Sequence, residues 1–258
     1  MWHWRRSRLV SIGVSAQSVA LAYRTSSSAS IHMTEWSLDE LAQGLTPHRG
    51  ARAKLAVDDR NARLWMVDPP RGTASLTELE AIVRASFTRT FGEAPDQWHV
   101  GANWHASQPF MCCAVPVSLV QPVVDALANA GIDVVNIDPA FAYDWNALPS
   151  ISDGWWCRLS PRHAVLTRVS GQRVLNVRSV YVEDDRPLQR CVIELKRYAM
   201  RLGQASPTHL SVIDAMNLLP EGSDGIEVDG VCVVSVDRSS SSCATTAVQA
   251  AALAVLKE

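Results

Sequence analysis

Two stretches of this chain repeat one order of elements, and that repetition limits the fold more than any single motif. From residue 9 the sequence runs through Leu9-Val10-Ser11-Ile12-Gly13-Val14 and Val19-Ala20-Leu21-Ala22-Tyr23, separated by the polar Ser15-Ala16-Gln17-Ser18. Short apolar runs around a polar tetrapeptide predict a β-hairpin. A third strand is expected over 31–36, and Ser37 with Glu40 has the capping-box spacing that opens a short helix. Strand-like runs at 54–57 and 63–67 flank Asp58-Asp59-Arg60-Asn61, a polar turn that predicts a second hairpin. Ser75 precedes Leu76, Leu79, Ile82, Val83 and Phe87, one face of a helix over 76–91. Strands are expected over 97–100 and 110–115. Pro116 then starts a helix carrying Leu119, Val120, Val123, Val124 and Leu127, which Gly131 ends. Residues 132–137 read as a continuous apolar strand, the kind buried on both faces of a parallel sheet. A helix is expected over 140–148.

The order starts again at Gly154. Strands over 155–159, 164–169 and 173–180 are divided by turns at Ser160-Pro161-Arg162 and Ser170-Gly171-Gln172. A helix over 188–202 carries Leu188, Val192, Leu195 and Ala199 at helical spacing, strands follow at 210–213 and 231–236, and an Ala-rich helix over 243–256 closes the chain. Residues 1–150 and 151–258 therefore read as two α/β domains of one pattern, connected near Pro149-Ser150-Ile151-Ser152. The first holds an inserted hairpin-and-helix region at about 50–108. Three antiparallel strands leading into helix-linked strands form a ribonuclease-H-like sheet with helices on its faces.

A chain of 258 residues has length for roughly two domains. Its 24 basic and 26 acidic residues leave a net charge of −2, so no global field draws it to nucleic acid, and no nucleic-acid partner is expected. No apolar run approaches the ~20 residues of a membrane span. Nine tryptophans and few charges argue against wholesale disorder. Interfaces are enriched in tryptophan, so some of these nine are expected to line a partner groove and the rest to fill cores.

The six cysteines form no C-x-x-C and sit in apolar strand-like runs, as buried thiols of a reducing compartment do. Three disulfides would be open to an exported form. Arg5, Arg6 and Arg8 before residues 9–22, which end in Ala20-Leu21-Ala22, have the form of a secretory signal. Ser11, Ser15, Gln17 and Ser18 interrupt its apolar part and favour the strand reading. Trp2–Arg8 reads as an unfolded basic leader with, at most, weak attraction to anionic lipid.

No G-x-S-x-G elbow, P-loop or G-x-G-x-x-G is present. His99, His105, Cys112 and Cys113 lie close in sequence at spacings that match no zinc pattern, and read as loop histidines beside strand cysteines. Asp58-Asp59 and Glu183-Asp184-Asp185 have cation-binding composition, but both adjoin turn signals and read as solvated loops.

Several stretches resemble the actin-like cytoplasmic proteins of the inner-membrane assembly platforms in type IV pili and type II secretion. Ala114-Val115-Pro116-Val117, continuing through Ala130-Gly131-Ile132 to Ile137-Asp138-Pro139 and Trp145-Asn146, is similar to that family's A-V-P, helix, A-G-L, strand, I-(D/E)-P passage. Leu64-Trp65-Met66-Val67, with Phe91-Gly92 and Trp98, resembles the secretion branch. Ile12-Gly13-Val14 through Ser18-Val19-Ala20-Leu21 is similar to the opening strand pair. The resemblance spans most of residues 9–200 and implies duplicated actin-like βββαβα domains.

It also implies where a nucleotide would bind. An actin-like site needs an acidic residue and a glycine in each of two hairpin turns, to hold the metal and to let amides approach the phosphates. Those positions here are Ser15, Ala16 and Gln17 in the first turn and Ser160, Pro161 and Arg162 in the second. Neither has the acid or the glycine, and Pro161 lacks an amide donor. The Gly-Gly motif expected near Ile213-Asp214-Ala215-Met216-Asn217 is absent. The resemblance thus implies a degenerate site without a cofactor or catalysis. It implies a cytoplasmic scaffold, peripheral at the inner membrane, that binds a cytoplasmic segment of a bitopic platform protein, with self-association left open. The alternatives are an ATP-binding kinase or ATPase of the same superfold, and an exported, disulfide-containing enzyme. Thiol titration of the denatured protein without reductant is expected to find six free thiols; a lower count would favour the exported form.

Overall fold

The computed structural model describes residues 9–24, 31–37, 40–73, 75–148, 150–182, 186–215 and 225–236, together with 249 and 252. In chain order the elements are β1 (Leu9–Val14), β2 (Val19–Arg24), β3 (Ile31–Trp36), α1 (Leu41–Leu45), β4 (Arg52–Val57), β5 (Arg63–Val67), α2 (Leu76–Phe91), β6 (Trp98–Ala102), β7 (Phe110–Pro116), α3 (Val117–Asn129), β8 (Asp133–Pro139) and α4 (Ala140–Asn146). They continue as β9 (Gly154–Ser160), β10 (His163–Ser170), β11 (Arg173–Tyr181), α5 (Pro187–Arg201), β12 (His209–Asp214), β13 (Ile226–Val228) and β14 (Val231–Val236). Contacts gather them into two compact units.

The first unit is built on a five-stranded sheet of order β3-β2-β1-β4-β8. β1 pairs antiparallel with β2, Ile12 opposite Leu21, and parallel with β4, Ile12 beside Leu55. Because β1 is bonded along both edges and covered on both faces, every residue after Leu9 is buried. One face packs Val10, Ile12, Leu55 and Val57 against Leu41 and Leu45 of α1 and Val120, Val123 and Leu127 of α3. On the other face the buried Ser11 hydroxyl donates to the Ala252 carbonyl.

Two expectations fail in this unit. The hairpin joining 54–57 to 63–67 does not form: β4 lies between β1 and β8, while β5 pairs with β7 in a different sheet. The Asp58 amide donates to Val14 O at 2.9 Å, and a 3₁₀ turn over Asp59–Asn61 then leads the chain out of the sheet. β8 is the last strand of the order and is exposed or half-buried at every residue but Pro139, with Val135 38% exposed. It has one strand neighbour where a doubly buried parallel strand has two.

The second unit contains a six-stranded sheet of order β11-β10-β9-β12-β14-β13. Its first five strands repeat the first sheet's arrangement, with β9 in the place of β1: antiparallel to β10, parallel to β12. β13, not anticipated, adds an antiparallel edge to β14. α5 closes one face, setting Cys191, Val192, Leu195 and Ala199 on Leu159, Leu166, Val212 and Val233. A three-stranded sheet, β5-β7-β6, packs on α2 through Trp65, Phe110 and Cys112 against Leu79, Val83 and Phe87.

α2 has both arms of its capping box, Ser75 with Glu78, and stops at Gly92 in the left-handed region at φ 70. Leu76 stays exposed at the helix start, outside the stripe that Leu79, Val83 and Phe87 bury. At α1 half of the expected box is present: the Glu40 carboxylate accepts from the Ser37 amide at 3.1 Å and its hydroxyl at 2.9 Å. These bonds hold the Glu40 carboxyl below its ordinary value. Of the expected helix over 243–256, residues 249 and 252 are helical and the rest lie outside the described residues.

Gly44 in α1 carries the indole of Trp36 where a side chain would stand; a Cβ there would be 2.3 Å from Trp36 Cζ2. Gly44→Ala is expected to destabilise the protein by about 1–3 kcal/mol, the usual cost of overpacking, seen as a lower midpoint in urea unfolding. An unchanged midpoint would contradict this packing.

Candidate functional site

The two hairpin turns singled out by sequence lie between β1 and β2 in one unit and between β9 and β10 in the other. The first is closed by its own serine. Ser15 N donates to Ser18 O at 3.0 Å, and Ser15 Oγ accepts from the amides of Gln17 at 3.3 Å and Ser18 at 3.1 Å. Ser18 Oγ donates to Glu35 Oε1 at 2.6 Å, and the other oxygen of that carboxylate accepts from Gln249 Nε2 at 3.1 Å. Amides that a phosphate loop would direct at its ligand are bonded here to a buried hydroxyl. Ala16 and Gln17 form the exposed tip.

In the second turn Ser160 Oγ donates to His163 O at 3.1 Å, and the exposed Arg162 adopts the left-handed conformation at φ 57. Its carbonyl accepts from Val182 N at 3.1 Å. Pro161 presents no amide.

Beside each turn stands a carboxylate that sequence reasoning assigned elsewhere or missed. Asp58 and Asp59 follow the carboxyl end of β4 and are buried, with 2% and 1% exposure, which corrects the solvated-loop reading. Asp58 accepts from the Arg60 amide at 3.1 Å and from Arg60 Nε at 2.8 Å. Asp59 Oδ1 accepts from the Phe141 amide at 2.9 Å, in the first turn of α4. The signal that could have revealed this was position: the doublet directly follows an apolar run that pairs in parallel, and such strand ends meet helix N-termini.

Asp214, at the end of β12, is likewise buried, and the following Ala215 amide donates to Leu159 O at 3.2 Å. Met216, Asn217 and the Glu183-Asp184-Asp185 run lie outside the described residues.

Most of the described tryptophans are engaged in packing. Trp65, Trp155 and Trp156 are buried and Trp36, Trp98 and Trp145 half-buried, while Trp104 is 37% exposed; Trp2 and Trp4 lie outside the described residues. Tertiary neighbours absorb them: Trp65 and Trp98 cluster with Phe87 and Phe91, and Trp156 Nε1 donates to Ser152 O at 2.9 Å.

The five described cysteines are free thiols. His99 is exposed on β6, and His105 Nδ1 accepts from Ser107 N at 3.2 Å. Among the described residues no three His, Cys, Asp or Glu side chains gather as a metal site, and no helix is long and apolar enough to cross a membrane.

No protein-family model matches the sequence, and no curated protein is similar to it in sequence. Solved structures are similar in fold. The cytoplasmic domain of EpsL, an inner-membrane component of the type II secretion system of Vibrio cholerae, superposes with a TM-score of 0.64 at 12% identity, covering 98% of this chain and 96% of that one. The PilM–PilN type IV pilus biogenesis complex gives 0.63 at 16% identity over 90% and 89%. A Bacteroides thetaiotaomicron protein of unknown function with an actin-like ATPase fold gives 0.54 at 9% identity over 83% and 85%. The chain has the actin-like α/β fold, with a small inserted sheet.

Burial shapes the thiol chemistry. Cys157 Sγ lies 4.0 Å from Cys191 Sγ, and that contact together with burial pushes the Cys157 thiol well above its ordinary 9.0; burial also raises Cys112. Unfolding frees these thiols to ionise near 9.0, so their contribution is fully present below that pH and is lost as pH rises above it. Stability is expected to fall by about 1 kcal/mol per pH unit per thiol above pH 9, less steeply in Cys157→Ala. Equal slopes in alkaline urea titrations of the two proteins would contradict this.

Proposed function

We propose that this chain is a non-catalytic scaffold of a type IV pilus or type II secretion inner-membrane assembly platform, where it binds a cytoplasmic segment of a bitopic membrane partner. The observation that carries the reading is the first hairpin turn, whose amides are taken up by Ser15 Oγ. Nucleotide hydrolysis on this fold needs open amides for the phosphates and a carboxylate for the metal. Here neither Ser15, Ala16 and Gln17 nor Ser160, Pro161 and Arg162 include a carboxylate, the Gln17 amide is bonded to Ser15 Oγ, Pro161 has no N–H, and Asp58 and Asp59 are bonded to protein donors.

Free thiols suit the reducing cytoplasm. Recruitment through a partner would place the protein at the inner membrane. The likeness in fold to EpsL and PilM supports the choice of platform, and both branches stay within the proposal. The repeat of one strand order on either side of residue 150 supports a division into halves 1–150 and 151–258.

Calorimetry with magnesium and ATP is expected to show no sub-millimolar binding, and a pull-down from native membranes to recover a bitopic platform protein. Sub-millimolar ATP affinity would refute the degenerate site. Recovery of no platform protein would overturn the scaffold role.

A further inference from the structure

The geometry points to a docking surface for an acidic protein segment on the face that α5 shares with β11, centred on Arg178, Arg190 and Arg197. Three guanidiniums converge there on one buried carboxylate. Glu194 Oε1 lies 2.8 Å from Arg197 Nη1 and 3.4 Å from Arg190 Nη2, and Oε2 lies 4.0 Å from Arg178 Nη2. Residues 190, 194, 197 and 201 recur at steps of four and three, one face of the helix. Arg178 reaches in from β11, its guanidinium 5.4 Å over the ring of Tyr198, whose hydroxyl donates to Val177 O at 3.3 Å. The arginine heads are therefore held in place before any ligand arrives.

Neutralising Glu194 requires one of the three, so the cluster keeps a surplus of two positive charges (three guanidiniums less one carboxylate). The imbalance extends beyond it: β11 has two basic residues and α5 four, against Glu194 as the one acid, in a chain whose net charge is −2. Like charges at this spacing repel, and the cost is relieved when carboxylates from outside settle among them. Each guanidinium has five donors, and the side chains of Arg178, Arg190 and Arg197 remain 30%, 38% and 53% exposed, so outward donors remain.

The chemistry favours carboxylates of a protein over a lipid surface. Planar guanidinium forks can pair bidentately with carboxylates, and each of these three meets Glu194 through a single nitrogen, which leaves the other fork nitrogens for carboxylates from outside. The apolar face of α5 is spent on the core through Cys191, Val192, Leu195 and Ala199, which leaves no apolar stripe to enter a bilayer. Met200, 74% exposed between Arg197 and Arg201, offers one adaptable apolar contact to a segment that mixes acidic and apolar residues. This surface stands whether or not the platform role does.

The test uses the full chain with a fluorescent oligo-glutamate peptide as probe, followed by anisotropy. Binding is expected at low salt and weakened as salt rises. Arg197→Gln should weaken it about tenfold, the scale of one charged contact. Arg201→Gln, outside the Glu194 cluster, should weaken it several-fold with an unchanged unfolding midpoint. Glu194→Gln should tighten it even if the fold loses stability, a gain that a purely structural cluster would not produce. No binding, or binding indifferent to these variants, overturns the proposal. So does capture by phosphatidylglycerol-containing vesicles without oligo-glutamate binding, or equal competition by inorganic phosphate. Binding that emerges only when Glu183, Asp184 and Asp185 are changed to amides would assign the site to the chain's own acidic run.

Discussion

Each of the two larger sheets has at its third position a strand that is bonded along both of its edges, antiparallel to the second strand of the order and parallel to the fourth. β1 and β9 hold these positions, and their mixed pairing constrains what surrounds them. The antiparallel edge is satisfied by a short turn. The parallel edge needs a crossover, and the helices it brings cover the sheet's face. Hence β1 is apolar on the face toward α1 and α3 and is buried on the other too, where Ser11 needs the Ala252 carbonyl as its partner. The same parallel pairing brings the carboxyl ends of β1 and β4 together, so Asp58 and Asp59 come to lie beside the first turn.

Charge is then used locally. Asp59 holds the start of α4, Asp58 locks the turn through Arg60, and Glu35 ties the first hairpin to Gln249. Buried carboxylates committed to protein amides and guanidiniums are fixed parts of the scaffold, because removing their partners would leave unpaired charge inside. Glu194 differs, since it gathers more positive charge than it cancels. That contrast separates the strand ends, where charge is balanced by the fold, from the α5 surface, where it is left over.

Much of this was legible from local pattern. The hairpin over 9–24 and the three strands from 154 to 181 were readable because apolar runs and their turns lie next to each other in sequence. α2 was readable from Ser75 and the spacing of Leu79, Val83 and Phe87. The pairing of 54–57 with 63–67 was misread because adjacency and a polar turn imitate a hairpin, whereas β4's true partners, β1 and β8, lie some forty and eighty residues away. The tryptophans looked surplus for one core because the separate core under α2, which takes Trp65 and half-buries Trp98, is assembled from β5, β6 and β7.

By itself, the sequence determined the kinds of elements, their repeated order and the chemistry of the turns, including the missing acid and glycine at Ser15–Gln17 and the missing amide at Pro161. These follow from spacings of two to four residues, which act through backbone geometry within a single element. Tertiary structure alone decided which strands distant in sequence became neighbours, that Asp58 and Asp59 are buried rather than solvated, and that Arg178 from a strand meets Arg190 and Arg197 from a helix at Glu194. Those outcomes depend on which apolar faces remain to be covered once all the elements exist, a quantity that belongs to the assembled chain and to no stretch of it.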